Sequence, residues 1–428
     1  MTALGQHEIV ALFLSVAVLL GTARSLGELF SKYRQPVIIG EILAGILLGP
    51  TVLGSIAPEF SAWLLPSTGN APVILQGFMM LSVALLLLLA GLDVDLSLVL
   101  RQGRAALLTS SMGFIFPWVV GFAAALLAPT LLGQPDSGGQ TLVFALFFGT
   151  ALTISALPVI AKTLMDLNLY KSKVGMVIMT SAMIDDLAGW ILFSVILAVW
   201  GATGLHETNI GLIIVLTLGF TGLILTVGRR VIDRALQWRQ QYLRGPGGGL
   251  SLVLVLACIC AAATEAIGIH ALFGAFLVGV AIGDSRHLGQ QTREAIRMFV
   301  LCFFAPIYFA SIGLRANFTA NFDLVLIVTV FALGCIGKIL GCGWGAYWGG
   351  LTRREALAVG FGMNARGMMA IVFGALAFQH GLIEEKMLVA LILMAVATSM
   401  LGGPAMEWSL GRQRSRTEPQ LAEKKVAS

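Results

Sequence analysis

The sequence predicts an all-α polytopic membrane protein of about thirteen transmembrane helices. Three observations predict it. Hydrophobic residues make up 57% of the 428 positions and charged residues only 11%, less than half the share a water-facing surface needs. The mean hydropathy is +0.91. The apolar excess runs from Ile9 to Leu401 without a change of character, where a soluble chain of this length splits into separate cores.

Runs of roughly 17–25 apolar residues bounded by charges or turn residues read as membrane spans, because a backbone in lipid must satisfy its own hydrogen bonds. In order they are about 7–23, 36–56, 72–92, 105–128, 141–161, 174–200, 210–228, 250–266, 269–283, 299–314, 324–346, 357–378 and 387–404. The first ends at Arg24 with no basic leader and no small-residue cleavage site, so it reads as a retained helix. The second carries Glu41 among Gly40, Gly45 and Gly49, which permit close helix packing. Glu41 is read either as a structural hydrogen-bonding group or as a place along an ion path. Asp93, Asp95 and Glu265 sit at span ends, within reach of water. Gly245-Pro246-Gly247-Gly248-Gly249 reads as a joint between two halves of the chain.

The loop charges test this threading independently. With the N-terminus outside and the C-terminus in the cytoplasm, 23 of the 27 basic residues fall on the inner side, leaving Arg315 and Lys386 outside and Lys338 and Arg366 within spans. That asymmetry matches the positive-inside rule. The pI near 9.1 therefore reports topology and not a nucleic-acid partner. All five cysteines, Cys258, Cys260, Cys302, Cys335 and Cys342, lie in apolar segments at spacings that suit no disulfide framework or zinc site. The tail after Pro404, residues 405–428, is basic and too short for a nucleotide-binding domain, so a regulatory domain is expected only as a separate chain.

An ionisable group at a span centre costs roughly 2.5–3.5 kcal/mol, so such groups are functional candidates. They are Glu41, Asp185, Asp186, Lys338 and Arg366. Adjacent Asp185 and Asp186 point about 100° apart on a helix, so both must face a polar interior. A carboxyl shielded from water can exchange a proton, and when ionised it can hold a monovalent cation, so one site can serve both by competition. The bland alternative is a static ion pair. Lys338 is the natural countercharge, since a buried ammonium needs one.

Two spans are expected to break. Pro158 lacks an N–H and clashes with the carbonyl of Ile154, which frees carbonyls beside the hydroxyls of Thr153 and Ser155 as a cation cradle. Gly360-Phe361-Gly362-Met363-Asn364-Ala365-Arg366-Gly367 predicts a second unwinding around Asn364 and Arg366. Spans two to six and nine to thirteen are offset by seven, an odd number, so the two units run in opposite senses as inverted repeats. An intramembrane aspartyl protease would need facing carboxylates from two helices; the deepest pair here is adjacent on one helix, so no enzyme is expected.

The chain resembles the membrane domain of the monovalent cation:proton antiporter family, including the Kef-type potassium systems and bacterial Na+/H+ exchangers. The resemblance rests on Gly40 to Pro50, LLLLLAGLDVD at 85–95, the 151–164 stretch, SAMIDDLAGW at 181–190, GIHALFGAFLVGVAIG at 268–283, PIYFASIGL at 306–314 and MNARG at 363–367. It implies an elevator-type antiporter fold with two crossing broken helices, a dimerisation part at about 7–92 and 210–314, and a moving core at about 105–200 and 324–404. By residue match Asp186 looks like the carrier of Na+, Li+ or K+ and of H+, with Asp185 and Lys338 its neighbours. The Asp-Asp pair implies an electrogenic Na+/H+ exchanger in the cell (inner) membrane, a homodimer in lipid with no cofactor; the alternative is a K+/H+ antiporter or K+ efflux system. One departure stands out: Met368, Met369 and Ala370 are neutral where many relatives place an acid.

Overall fold

The computed structural model describes residues 5–33, 35–66, 69–94, 103–134, 141–201, 210–242, 248–283, 285, 287–315 and 317–410. Asp95, residues 245–247 of the glycine-rich joint and residues 411–428 of the tail lie outside the described residues. The described residues fold into helices throughout: α1 (Gln6–Lys32), α2 (Val37–Leu48), α3 (Leu53–Ile56), α4 (Pro58–Leu64), α5 (Ala71–Leu92), α6 (Arg104–Leu127), α7 (Thr141–Ala151), α8 (Leu157–Asp166), α9 (Lys173–Gly201) and α10 (Ile210–Leu223). There follow α11 (Arg229–Tyr242), α12 (Gly248–Ala266), α13 (Ala271–Gly283), α14 (Gln290–Phe299), α15 (Ala305–Arg315), α16 (Leu324–Trp348), α17 (Arg353–Met363), α18 (Gly367–Gln379) and α19 (Glu385–Leu410). Short π-helical turns, Ile224–Gly228 and Val300–Phe304, join α10 to α11 and α14 to α15.

Among the described residues, ten helical stretches are long and apolar enough to cross a membrane, eleven with the bent pair α17 and α18. The expected spans at 141–161 and 269–283 fall instead on shorter helices, α7 with α8 and the 13-residue α13.

The helices pack in two groups. One holds α1, α2, α5, α12, α13 and α15; the other holds α6 to α9 and α16 to α19. In the first, α2 lies against α15 and α5 against α13 with backbones almost touching, because glycines face backbone on both sides: Gly45 against Ala310, Gly313 against Ile42, Gly91 against Phe276 and Gly279 against Leu88. In the second, α6 lies along α16, where a Cβ on Gly341 would stand 2.6 Å from the Met112 carbonyl oxygen. These partnerships follow the offset of seven. The second span pairs with the tenth and the third with the ninth, while the fourth meets its own counterpart, the eleventh. That is the pairing a two-fold relation between inverted halves demands.

Candidate ion site

Both expected interruptions occur, and they meet. The first chain break runs from Leu152 to Ala156 between α7 and α8; the second runs from Asn364 to Arg366 between α17 and α18, which are bent by 44°. Pro158 does not sit at the first break. It occupies the opening turn of α8, where a missing N–H costs nothing because that donor has no intrahelical partner. At the second break Gly367 takes a left-handed φ of +48°, which a side chain disfavours.

An interrupted helix leaves carbonyls unpartnered at its end, and each break here supplies the other's partners. Arg366 donates from one guanidinium nitrogen to the Ala151 carbonyl at the end of α7 (3.1 Å) and from another to Gly334 (2.7 Å). Ser155 donates its hydroxyl to the Met363 carbonyl at the end of α17 (2.8 Å), and the Ala156 N–H donates to Ala365 (2.8 Å). At the start of α18, Gly367 N–H donates to the Ser399 hydroxyl (3.1 Å). A neutral hydroxyl thus meets that helix N-terminus where the sequence carries no acid.

Beside the crossing, the Lys338 ammonium is fully buried and uses its three donors on three acceptors. It lies 2.6 Å from Asp185 Oδ2, 3.1 Å from the Gly113 carbonyl, and also donates to the Thr153 carbonyl. The other Asp185 oxygen accepts from Ser110 Oγ at 2.7 Å. Asp185 is therefore held on both oxygens, whereas Asp186, equally removed from solvent, has an Oδ1 with no hydrogen-bond partner. Asn364 at the second break is similar: its amide nitrogen donates to Cys335 Sγ at 3.3 Å while its Oδ1 has no partner. The Thr153 hydroxyl turns back to the Thr150 carbonyl (2.7 Å), so Thr153 and Ser155 offer lone pairs but no free protons.

Glu41 lies apart from this cluster. It is buried on α2 and lines a cavity of about 620 Å³ between the two helix groups. The cavity runs from Arg24, Gln35, Lys162 and Glu407 inward to Pro158, Val159, Met368 and Ser399 beside the breaks. On the far side of the breaks the space is filled by rings: Phe147 stacks on Phe373, Phe193 packs on both, and Trp190 reaches Phe276 on α13 at 6.0 Å. The cavity ends beside the crossing without Asp185, Asp186, Lys338, Asn364 or Arg366 lining it, and the opposite side is plugged by rings.

Sequence reasoning missed Ser110 and Ser399. Ser110 carried a faint signal, as part of Thr109-Ser110-Ser111 in an otherwise apolar span; Ser399 carried none, because one hydroxyl on a helix ordinarily bonds back to its own backbone.

A polytopic helical protein with two interrupted helices crossing beside buried carboxylates is a membrane transporter by its architecture. The chain belongs to the sodium/hydrogen exchanger transmembrane family, whose model matches residues 14–410. It is 29% identical over 406 residues to the Na(+)/H(+) antiporter NhaS4 of Synechocystis, covering 93% of this chain and 97% of that protein. It is 26% identical to the Na(+)/H(+)-K(+) antiporter GerN of Bacillus cereus, covering 93% and 96%. With Cation/H(+) antiporter 20 of Arabidopsis thaliana it shares 31% identity over 92% of its own length, and it spans about half (48%) of that longer protein. The solved sodium proton antiporter MjNhaP1 of Methanocaldococcus jannaschii has a similar fold, with a TM-score of 0.64 over 94% of this chain and 97% of that one at 15% identity.

Proposed function

We propose that this chain is a secondary active antiporter that exchanges Na+, with Li+ or K+ as the other candidates, for H+ by alternating access. The observation that carries the reading is Asp186: a buried carboxylate with an unpartnered oxygen, next to a satisfied Asp185–Lys338 pair, where two broken helices cross at the head of a one-sided cavity. Asp186 takes a cation or a proton. Either neutralises it, and a neutral site crosses a dry barrier that an anionic one resists. Asp186 Oδ1 and Asn364 Oδ1, with lone pairs of Ser155 and Thr153, are the oxygen ligands assigned to the cation, and oxygen ligands suit such ions. Unwound backbone is tolerated at this depth because the breaks satisfy one another.

In this reading α6 to α9 and α16 to α19 form the core that moves, and the other group is the scaffold through which two copies dimerise. On the same reading the end holding Arg24 and Lys162 is cytoplasmic by the charge asymmetry, so the cavity faces inward and Glu41 lines the inner approach. Exchange is electrogenic, with Asp186 and the Asp185–Lys338 pair each taking up a proton on the return.

The test is solid-supported-membrane electrophysiology on proteoliposomes with a Na+, Li+ and K+ series at several pH values. Saturating currents tied to proton counter-flow are expected, and Asp186→Asn should fall to the level of empty liposomes. Persisting Na+-driven collapse of a pH gradient in that variant would refute the assignment. A K+ current exceeding that of Na+ would move the cargo to K+, a reading that the printed name of the Bacillus cereus relative also supports.

A further inference from the structure

The two helix groups also touch at the plugged end, through a pair that plays no part in the ion site. His270 immediately precedes α13 of one group, and His380 immediately follows α18 of the other. Their Nε2 atoms are 3.2 Å apart, with the rings nearly perpendicular at 82°. Below them lie Trp190, Phe193 and Leu376, the apolar plug between the groups. The tautomers follow from the neighbours. Leu272 N–H donates to His270 Nδ1 at 3.3 Å, so that nitrogen is bare, and the proton of a neutral His270 is on Nε2. His270 therefore donates and His380 Nε2 accepts.

We propose that the His270–His380 hydrogen bond is a proton-sensitive latch, which holds the ion-site group against the other group at the plugged end while both imidazoles are neutral and releases it when that side turns acidic. The inference rests on the alternating-access reading for its functional meaning, but its chemistry stands alone. Protonating His380 puts an N–H at Nε2, where an acceptor is required. Protonating His270 puts one at Nδ1, against the Leu272 N–H. Either event breaks a contact, and two imidazolium rings would repel. Among the described residues Glu265 is the charged group that acts on both rings; its Oε2 is engaged by the Ala271 N–H at 2.8 Å. The rings and aliphatic chains beneath carry no charge.

Burial holds His270 down at about 4, helped by the neighbouring His380, and burial lowers His380 as well, while Glu265 opposes both shifts. Parted, each imidazole returns toward about 6.5. Protons therefore bind the parted state better. The latch has full strength above about 6.5 and weakens as pH falls below it. By the charge asymmetry this end is the outer one, so outer acid favours opening toward the side from which protons enter.

The test attaches spin labels at Ile267→Cys and Gln379→Cys, exposed positions flanking the pair on opposite groups, after replacing the native cysteines. Inter-label distances are measured in nanodiscs between about pH 7.5 and about pH 4.5, a window spanning the free imidazole value. Acid should enrich the longer distance about fivefold, the factor one ordinary net hydrogen bond carries. His270→Ala should show the longer distance at both pH values. His380→Gln, whose amide oxygen accepts but does not titrate here, should keep the shorter one at both. A wild-type distribution that ignores pH, or a His380→Gln protein that follows the wild type, overturns the latch. Cation-driven proton flux in the unlabelled wild type separates the two ideas: flux without a pH-dependent distance sinks the latch alone, and a pH-dependent distance without flux sinks the antiport reading alone.

Discussion

At the scale of single residues the site is governed by a difference between neighbours. Asp185 has both oxygens occupied, by Lys338 and Ser110, and Asp186 has one left bare. The proposed cation ligand is the neighbour whose oxygen is bare, since binding a cation there breaks no existing hydrogen bond. Truncating Lys338 to Ala should leave Asp185 as an uncompensated buried charge and cost about 3–5 kcal/mol, seen as a lower melting temperature. Combining Lys338→Ala with Asp185→Asn should recover most of that loss, because neither member of the pair is then charged. Ser110→Ala should cost about 1.5–3 kcal/mol, the range for a hydrogen bond to a charged group, and Ser110→Thr should restore the donor; failure of Thr to restore stability would show that packing and not the hydroxyl matters.

At the scale of elements, the breaks hold because they are reciprocal. Arg366 caps α7 and Ser155 caps α17, so each interrupted helix is completed by the other's unwound segment. Gly367 has no room for a side chain at the second break. Its φ is +48°, and an added Cβ would meet Val159 Cγ2 at 2.7 Å and Ala156 Cβ at 2.9 Å. Gly367→Ala should therefore cost more than the roughly 1–2 kcal/mol of a left-handed backbone alone, measured by thermal unfolding. Pro158→Ala should cost only about 0.4–1 kcal/mol, because Pro158 starts α8 and does not itself break the helix. The sequence signalled that a break existed near Pro158, but its position depended on Ser155 and Ala156 finding carbonyls 208 and 209 residues away, which no local window contains.

At the scale of the whole molecule, access is one-sided. The cavity reaches Val159 from the end with Arg24 and Lys162, and Phe373 is sealed by Phe147 and Phe193. Val159→Cys in a background without native cysteines should react with a water-soluble thiol reagent added to the Arg24 side, and Phe373→Cys should not react from either side; equal reactivity of the two would contradict the plug. The fold itself was largely legible, since apolar run lengths and loop charges report spans and their order. The grouping into two bundles was not. It is set by glycines such as Gly91 and Gly279, which let α5 and α13 approach backbone to backbone, and a glycine in a sequence does not say which helix it will face.

The amino-acid sequence by itself determined that this chain resides in a membrane, which charges are buried there and that two of its helices are interrupted, because each follows from local hydrophobicity and local backbone chemistry. Only the tertiary structure decided that Asp185 is held and Asp186 left bare, that the two breaks complete each other, and that the cavity opens to one end. Those outcomes depend on distances between side chains far apart in the chain, and such distances exist only once helices of opposite halves have packed.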